Sequence, residues 1–341
     1  SEVFQETPVI ASLFRNLRGF FRITSVTNQS CKVNLTTLPL FKLMTTYKFY
    51  TCDVFTDTRF GGNPLAVLPD ATGLTTAEMQ LIAREFNFSE STFVFPSETH
   101  TRQVRIFTPS TELPFAGHPN IGTAFTLASI GEFGLIGEQT NIVFDEKAGL
   151  VPITIRQSGK NPIWCELRAP QTLAIGQSVP TELIAKLLSL PETAVITKTH
   201  QPQEASVGLP FVMVELENQA ALEKVQINTQ TLDELKEKSP RLAFHLYTFT
   251  DNAFDIRTRM FSLSRGLVED PATGSANCAL AAMLTHYQPE ADGEFAWKIA
   301  QGFEMGRPST LDARTVKKDG NVTAVYIAGE CVMITEGEIT V

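Results

Sequence analysis

The feature that most restricts how this chain folds is a repeat inside it. Glu112-Leu113-Pro114-Phe115-Ala116-Gly117-His118-Pro119-Asn120-Ile121-Gly122-Thr123-Ala124 lies without gaps on Glu269-Asp270-Pro271-Ala272-Thr273-Gly274-Ser275-Ala276-Asn277-Cys278-Ala279-Leu280-Ala281. The Glu, Pro, Gly, Asn and final Ala are identical in the two copies. Upstream, Arg105-Ile106-Phe107 answers Arg259-Met260-Phe261, with a longer linker in the second copy. Each copy reads as a strand, an acidic loop, a Pro, a small-Gly-polar step and an apolar helix.

Each copy therefore opens a helix directly after a glycine. The first turn of a helix leaves backbone N–H groups unpaired and carries a partial positive charge. Gly117 and Gly274 have no Cβ, so a ligand can approach those amides closely. Two such starts facing one another make a cleft suited to a carboxylate. The plainer alternative is two ordinary helix caps, with Ser275 as an N-cap residue and His118 as a helix-start residue.

Composition narrows the function. The 28 Lys+Arg are outnumbered by 37 Asp+Glu, giving a net charge of −9 that argues against nucleic acid as the main partner. No apolar run reaches the ~18–20 residues a membrane helix needs. The five cysteines (Cys31, Cys52, Cys165, Cys278, Cys331) stand singly with no C-x-x-C, so neither a zinc site nor a disulfide framework is expected. This usage fits a reducing, cytoplasmic compartment. No metal is assigned.

Residues 1–43 differ in composition from the rest of the chain. No acidic residue occurs between Glu6 and Asp53, while Arg15, Arg18, Arg22, Lys32 and Lys42 are basic. An organellar targeting peptide has this composition, but a poorly packed N-terminal extension outside the fold is the reading adopted. From Met44 onward short strands alternate with a few helices. Strands are expected over 47–55, 64–68, 92–95, 104–107, 245–250 and 255–261, with a hairpin pairing 150–156 with 163–167 and a mostly stranded tail over 297–341. Thr75-Thr76-Ala77-Glu78 is a capping box, followed by Met79, Ile82, Ala83 and Phe86 on one helical face. Pro180 is expected to open a helix through Leu190, and Thr231 another through Lys238. The class is α+β, without the strict alternation of a nucleotide-binding sheet.

Five motifs occur in order: Phe60-Gly61-Gly62-Asn63-Pro64-Leu65-Ala66-Val67, Asn87-Phe88-Ser89-Glu90-Ser91-Thr92-Phe93, Leu113 to Pro119, Glu269 to Ala276, and Gln301-Gly302 with Met305-Gly306-Arg307-Pro308-Ser309. Together they resemble the PhzF-like family of phenazine-biosynthesis isomerases, over roughly Met44 to Val341. The resemblance implies the diaminopimelate-epimerase-like fold: two similar lobes, each a curved sheet wrapped round a central helix, related by a pseudo-two-fold. The expected division is 44–160 plus a C-terminal strand at about 333–341 in one lobe, and 161–332 in the other. It also implies chemistry without metal or organic cofactor, and a homodimer.

The family's acid/base glutamate falls on Glu90, its histidine on His118, and its Asp and Ser on Asp270 and Ser275. In the related epimerases two cysteines move the proton. This chain has Ala116 and Thr273 near the corresponding loops, so a two-thiol mechanism is unsupported. Cys278 is expected in the core.

Each residue also has a structural reading. Glu90 alone reads as a carboxylate in a helix–strand connection; a carboxylate moving protons near neutral pH needs a raised pKa, from burial or from a neighbour such as Asp270. His118, at a positive helix end, is expected to be neutral. Asp270 alone reads as a loop residue before Pro271, and Asn63 as a turn residue that also contacts ligand. Arg307 either pairs with a substrate carboxylate or locks a loop through a salt bridge. A Ser-His-Asp hydrolase built from Ser275, His118 and Asp270 is disfavoured because no G-x-S-x-G elbow is present.

The expectation is a cofactor-independent isomerase acting on a small carboxylate-bearing molecule. Glu90, His118 and Asp270 are assigned to catalysis, and Gly117, Gly274, Ser275, Asn63 and Arg307 to substrate binding. The rival readings are a racemase or epimerase of an amino-acid-like substrate, and a non-catalytic small-molecule binder.

Overall fold

The computed structural model describes residues 44–157, 162–238, 243–262 and 268–341. The expected extension over 1–43 and the turn over 158–161 lie outside these residues.

The first lobe begins with β1 (Thr46–Val54), β2 (Asn63–Leu68), helix α1 (Thr76–Phe86), β3 (Glu90–Phe95), β4 (Arg102–Phe107) and β5 (Glu112–Leu113). Helix α2 (Gly117–Ser129), β6 (Thr140–Glu146), β7 (Gly149–Arg156) and β8 (Trp164–Arg168) come next. The second lobe holds β9 (Ala174–Ser178), α3 (Thr181–Leu188), β10 (Val195–Ile196), β11 (Gln203–Ser206), β12 (Pro210–Leu216), α4 (Gln219–Lys224) and α5 (Thr229–Lys238). It continues with β13 (Ala243–Phe249), β14 (Ile256–Ser262), β15 (Val268–Asp270), α6 (Gly274–His286), β16 (Gly293–Gln301), β17 (Ser309–Lys318) and β18 (Asn321–Thr340).

Strand pairing in the first lobe closes on itself. It runs β1–β2–β3–β4–β6–β7–β8–β18 and returns to β1. The second lobe runs β18–β17–β16–β14–β13–β12–β11–β9. The long β18 belongs to both: its first half pairs with β17 and β8, its second half with β1. Closing a sheet this way leaves few exposed edges and creates an interior that something must fill.

That filling is a helix in each lobe. Helix α2 is buried from Gly117 to Ala128, and α6 along its length apart from Ser275 and its last residue. Helices that are apolar all round belong in a core. Small residues let the strands close in: a Cβ on Gly122 would sit 2.6 Å from both Leu65 Cδ2 and Val54 Cγ2. The two central helices share one core cluster, which includes Ile121 and Leu127 from α2 and Leu280 and Met283 from α6. α1 carries the expected capping box between Thr75 and Glu78 and buries Met79, Ile82 and Ala83.

The lobes repeat in pairing as well as in sequence. β2 and β3 are parallel, as are β12 and β13; β4 and β6 are parallel, as are β14 and β16. The Arg105–Glu112 ion pair has its counterpart in Arg259–Glu269, each with an Nε–Oε1 distance of 2.7 Å. Each Arg also lies over an aromatic ring, Phe107 in one lobe and Phe261 in the other. Asn120 donates to Ala116 O and Asn277 to Thr273 O, both at 3.0 Å. With Arg105 equivalent to Arg259, the strand registers make Glu90 equivalent to Ala243 and Glu146 to Gln301. The expected lobe boundary at 160/161 falls outside the described residues, and β8 just beyond it pairs with both β7 and β18.

Candidate functional site

The two helix starts meet. A Cβ on Gly117 would lie 3.3 Å from Ser275 N and 3.4 Å from Gly274 Cα. A side chain there would have to push the facing turn back by a few tenths of an ångström, so Gly117 lets the two sets of unpaired amides approach closely. Between them is a narrow cavity of about 10 Å³, lined by Phe115, Gly117, Leu209, Gly274, Ser275 and Cys278 among others. That is room for a single water.

Glu90 stands at the start of β3, directly after the α1 connection, next to His118; neither of these two nor Asp270 lines that small cavity. Glu90 Oε2 lies 3.5 Å from His118 Nε2, with side-chain exposures of 16% for Glu90 and 5% for His118. His118 Nε2 is buried and has no hydrogen-bond partner among the described residues. Burial pushes the His118 pKa down to about 3. The imidazole is therefore neutral, as expected, but burial is the cause rather than the helix end.

Asp270 comes from the other lobe, at the end of β15. Its Oδ1 accepts from Asn63 Nδ2 at 2.9 Å and its Oδ2 from Thr273 Oγ1 at 2.5 Å. Asn63 also donates to Ala272 O at 2.9 Å and accepts from Ser89 Oγ at 2.8 Å. The fully buried Asn63 is thus the bridge between the serine preceding Glu90 and the opposite lobe. It is the first residue of β2 rather than a turn residue.

Ser275 is the second residue of α6, half-buried and facing the cavity, and is not the N-cap. The N-cap is Thr273, whose hydroxyl is committed to Asp270 instead of to the helix amides. The corresponding N-cap of α2 is Ala116, also without a side-chain cap. Arg307 takes the loop-locking role: it donates to Asp53 Oδ1 at 2.6 Å, Gly61 O at 2.6 Å and Gly62 O at 2.7 Å. Asp53 completes this clamp by accepting from Phe60 N at 2.7 Å. The loop so held contains three residues with positive φ, Phe55 at 65°, Phe60 at 70° and Gly62 at 58°, and leads straight into Asn63.

Sequence reasoning missed the scaffold around these groups. Gln301 Oε1 accepts from Thr273 N and Asn277 Nδ2, while its Nε2 donates to Asp270 O and Thr273 Oγ1. Ser309 donates to Pro271 O. Gln301 and the Gly306-Arg307-Pro308-Ser309 segment hence hold the loops on both sides of the cleft. The sequence signals for this scaffold were the motif carrying Gln301 and Arg307-Pro308-Ser309 and the asparagine common to both repeats, and neither says what these side chains bind. Cys278 is in the core at 2% exposure.

Comparison with known proteins agrees with this architecture. The family described as "Phenazine biosynthesis-like protein" matches residues 52–337. Trans-2,3-dihydro-3-hydroxyanthranilate isomerase of Pseudomonas aeruginosa is 34% identical over 292 residues, 85% of this chain and 98% of that protein. The crystal structure of a PhzF-family phenazine biosynthesis protein from Bacillus anthracis superposes with a TM-score of 0.78 at 27% identity, covering 87% of this chain and 100% of that one. A hydroxyproline epimerase from Agrobacterium vitis shares the fold, with a TM-score of 0.59 at 12% identity, 87% of this chain and 92% of that one. Fold and relatives together define an isomerase on the diaminopimelate-epimerase-like scaffold. The chain belongs to the phenazine biosynthesis-like, or PhzF, family.

Proposed function

We propose that this enzyme shifts a proton within a small, cyclic or unsaturated, carboxylate-bearing substrate, using Glu90 as the acid/base and no cofactor. The observation that carries the reading is the Glu90–His118 pair, at 3.5 Å, beside two facing helix starts. Unpaired amides at those starts suit a substrate carboxylate and the charge that develops when a neighbouring C–H bond breaks. The Glu90 carboxylate takes a proton from the activated carbon, the double bond moves by one position, and the protonated Glu90 returns the proton at the far end of the same system. Atoms balance without any co-reactant.

The neutral His118 beside Glu90 keeps a polar contact without adding a second charge. Asp270, held by Asn63 and Thr273, fixes the opposite wall. Ser275 donates its hydroxyl to the substrate in this reading. The cavity of about 10 Å³ is too small for a ring, so the lobes separate to admit substrate and close to exclude water during the transfer. The relative named for a dihydro-hydroxyanthranilate, which is a cyclic carboxylate, supports this substrate class and makes that compound the first to test.

A two-base epimerase is the weaker reading. Ala116 and Thr273 occupy the N-cap positions, and neither side chain takes a proton from carbon. The test is turnover of trans-2,3-dihydro-3-hydroxyanthranilate and related cyclic carboxylates in deuterated water. The expected result is a moved double bond, with E90Q slowed by about 10²–10⁴-fold and folded as well as the parent. Unchanged turnover in E90Q removes Glu90 from the chemistry, and inversion at one carbon without a double-bond shift favours the epimerase.

A further inference from the structure

Glu146, the last residue of β6, is a carboxyl group the proposed mechanism does not use. It is 8% exposed, and neither of its oxygens has a hydrogen-bond partner among the described residues. Its polar neighbour is Asn120 of α2, whose own Oδ1 is likewise buried and unpartnered. The turn after Glu146 is tied to the loop entering α2: Ala148 N donates to Pro114 O at 3.1 Å, and Lys147 Nζ to Glu112 Oε2 at 2.5 Å.

The pseudo-two-fold says what such a group does. Glu146 is equivalent to Gln301, as Asn120 is to Asn277, Ala116 to Thr273 and Leu113 to Asp270. Gln301 donates from its NH₂ to the Asp270 carbonyl and the Thr273 hydroxyl, and its oxygen accepts from the Thr273 N–H and the Asn277 amide. A carboxylate has only acceptors and fails that pattern. A neutral carboxylic acid has one O–H donor and one C=O acceptor; it lacks the amide's second donor, which here has no counterpart to the Thr273 hydroxyl to serve because Ala116 stands in that place.

We propose that Glu146, as a neutral acid, is a positioning residue of the first lobe: it holds the start of α2, and with it Gly117 and His118, as Gln301 holds the start of α6. Its O–H is the donor that the buried, unpartnered Asn120 Oδ1 beside it lacks, and Asn120 in turn holds Ala116 O at the start of α2. This role deepens the proposed function, since it acts through His118.

Burial raises the Glu146 pKa to about 8, and the Asn120 amide pulls weakly the other way. Charged groups on the surrounding elements have other partners. Arg105 of β4 and Lys147 both bind Glu112 of β5, and Arg102 binds Glu132. Arg156 of β7 stacks on Trp164, Asp145 is the preceding residue on β6, and His118 of α2 stands by Glu90. Ionisation would leave a buried charge with no counter-ion beneath the helix that carries His118.

The test needs no turnover. His118 ring signals in a two-dimensional NMR spectrum, assigned by their loss in H118N, are followed from pH 6 to pH 10 in the parent chain and in E146Q. In the parent they are expected to move with a midpoint near 8, and in E146Q to stay at the parent's neutral-pH position. Signals that do not titrate in the parent, or that titrate equally in E146Q, overturn the proposal. An active E90Q would instead defeat the proposed function and leave this result standing.

Discussion

Removing Arg307 tests which of its two expected roles the residue plays. Its guanidinium contacts Asp53, whose side chain is 5% exposed against 28% for Arg307. Stripping the partner from a buried carboxylate costs ~3–5 kcal/mol. Two features reduce this: the arginine is partly hydrated, and Phe60 N still donates to Asp53 Oδ2. A loss of about 2–3 kcal/mol is therefore expected for R307A. In a body of this size that corresponds to a Tm about 3–5 °C lower. The assay is thermal and urea unfolding of R307A, D53N and the double variant, without ligand. A thermodynamic cycle should return a coupling energy of at least ~1.5 kcal/mol. An R307A chain melting within about 1 °C of the parent, or a coupling below ~0.5 kcal/mol, refutes the clamp and returns Arg307 to the substrate carboxylate.

Two further outcomes rest on buried titrating groups. His118 and His245 have pKa values pushed down to about 3 and about 4 by burial. Below the ordinary histidine value the unfolded chain takes up protons that the folded chain refuses, so the stability present above 6.5 is lost as pH falls through that window. Acidifying from pH 7 to pH 5 should cost about 2 kcal/mol per histidine, and H118N should lose about 2 kcal/mol less than the parent over that range; identical acid limbs in urea melts contradict it. Burial also raises the thiols, with Cys52 and Cys278 at about 12 and Cys165 and Cys331 likewise shifted up. In a C31S background, Ellman's reagent at pH 8 should label no thiol of the native protein and all four after denaturation, and one fast native thiol would refute the assignment.

The repeated segments were the most legible part of this molecule. Their strand, loop and helix patterns are local, and both helices begin at the glycines the alignment marks. The capping box at Thr75 and the strands flanking it were equally readable, because period and cap agree there. Strands β6 and β9–β12 and helix α4 were not foreseen. β9 is exposed throughout, and β12 is a nearly continuous apolar run set by a parallel neighbour, so neither shows the alternation that betrays a half-buried strand. Helix ends shifted for local reasons: α3 stops at Leu188 because Ser189 turns left-handed at φ 55°.

At the site, Glu90, His118 and Asp270 were grouped through the family resemblance, with Asp270 expected as a charged neighbour of Glu90; the Glu90–His118 contact is present at 3.5 Å. What the chain concealed were contacts between residues more than 200 positions apart, such as Asn63 with Asp270 and Arg307 with Asp53. Spacing carries no signal for these. Ser275 misled as a cap because serine's propensity is generic, whereas Thr273 precedes it at the boundary and is drawn to Asp270.

The central claim is that substrate lies between the two helix starts with its reacting carbon at Glu90. A crystal structure of the E90Q chain soaked with benzoate, a small cyclic carboxylate, tests it most directly. The carboxylate is expected within ~3 Å of backbone N–H groups at Gly117–His118 or Gly274–Ser275, and the ring against position 90. Benzoate bound elsewhere, for example in the groove of Trp297 and Arg314, with the helix junction empty, contradicts it.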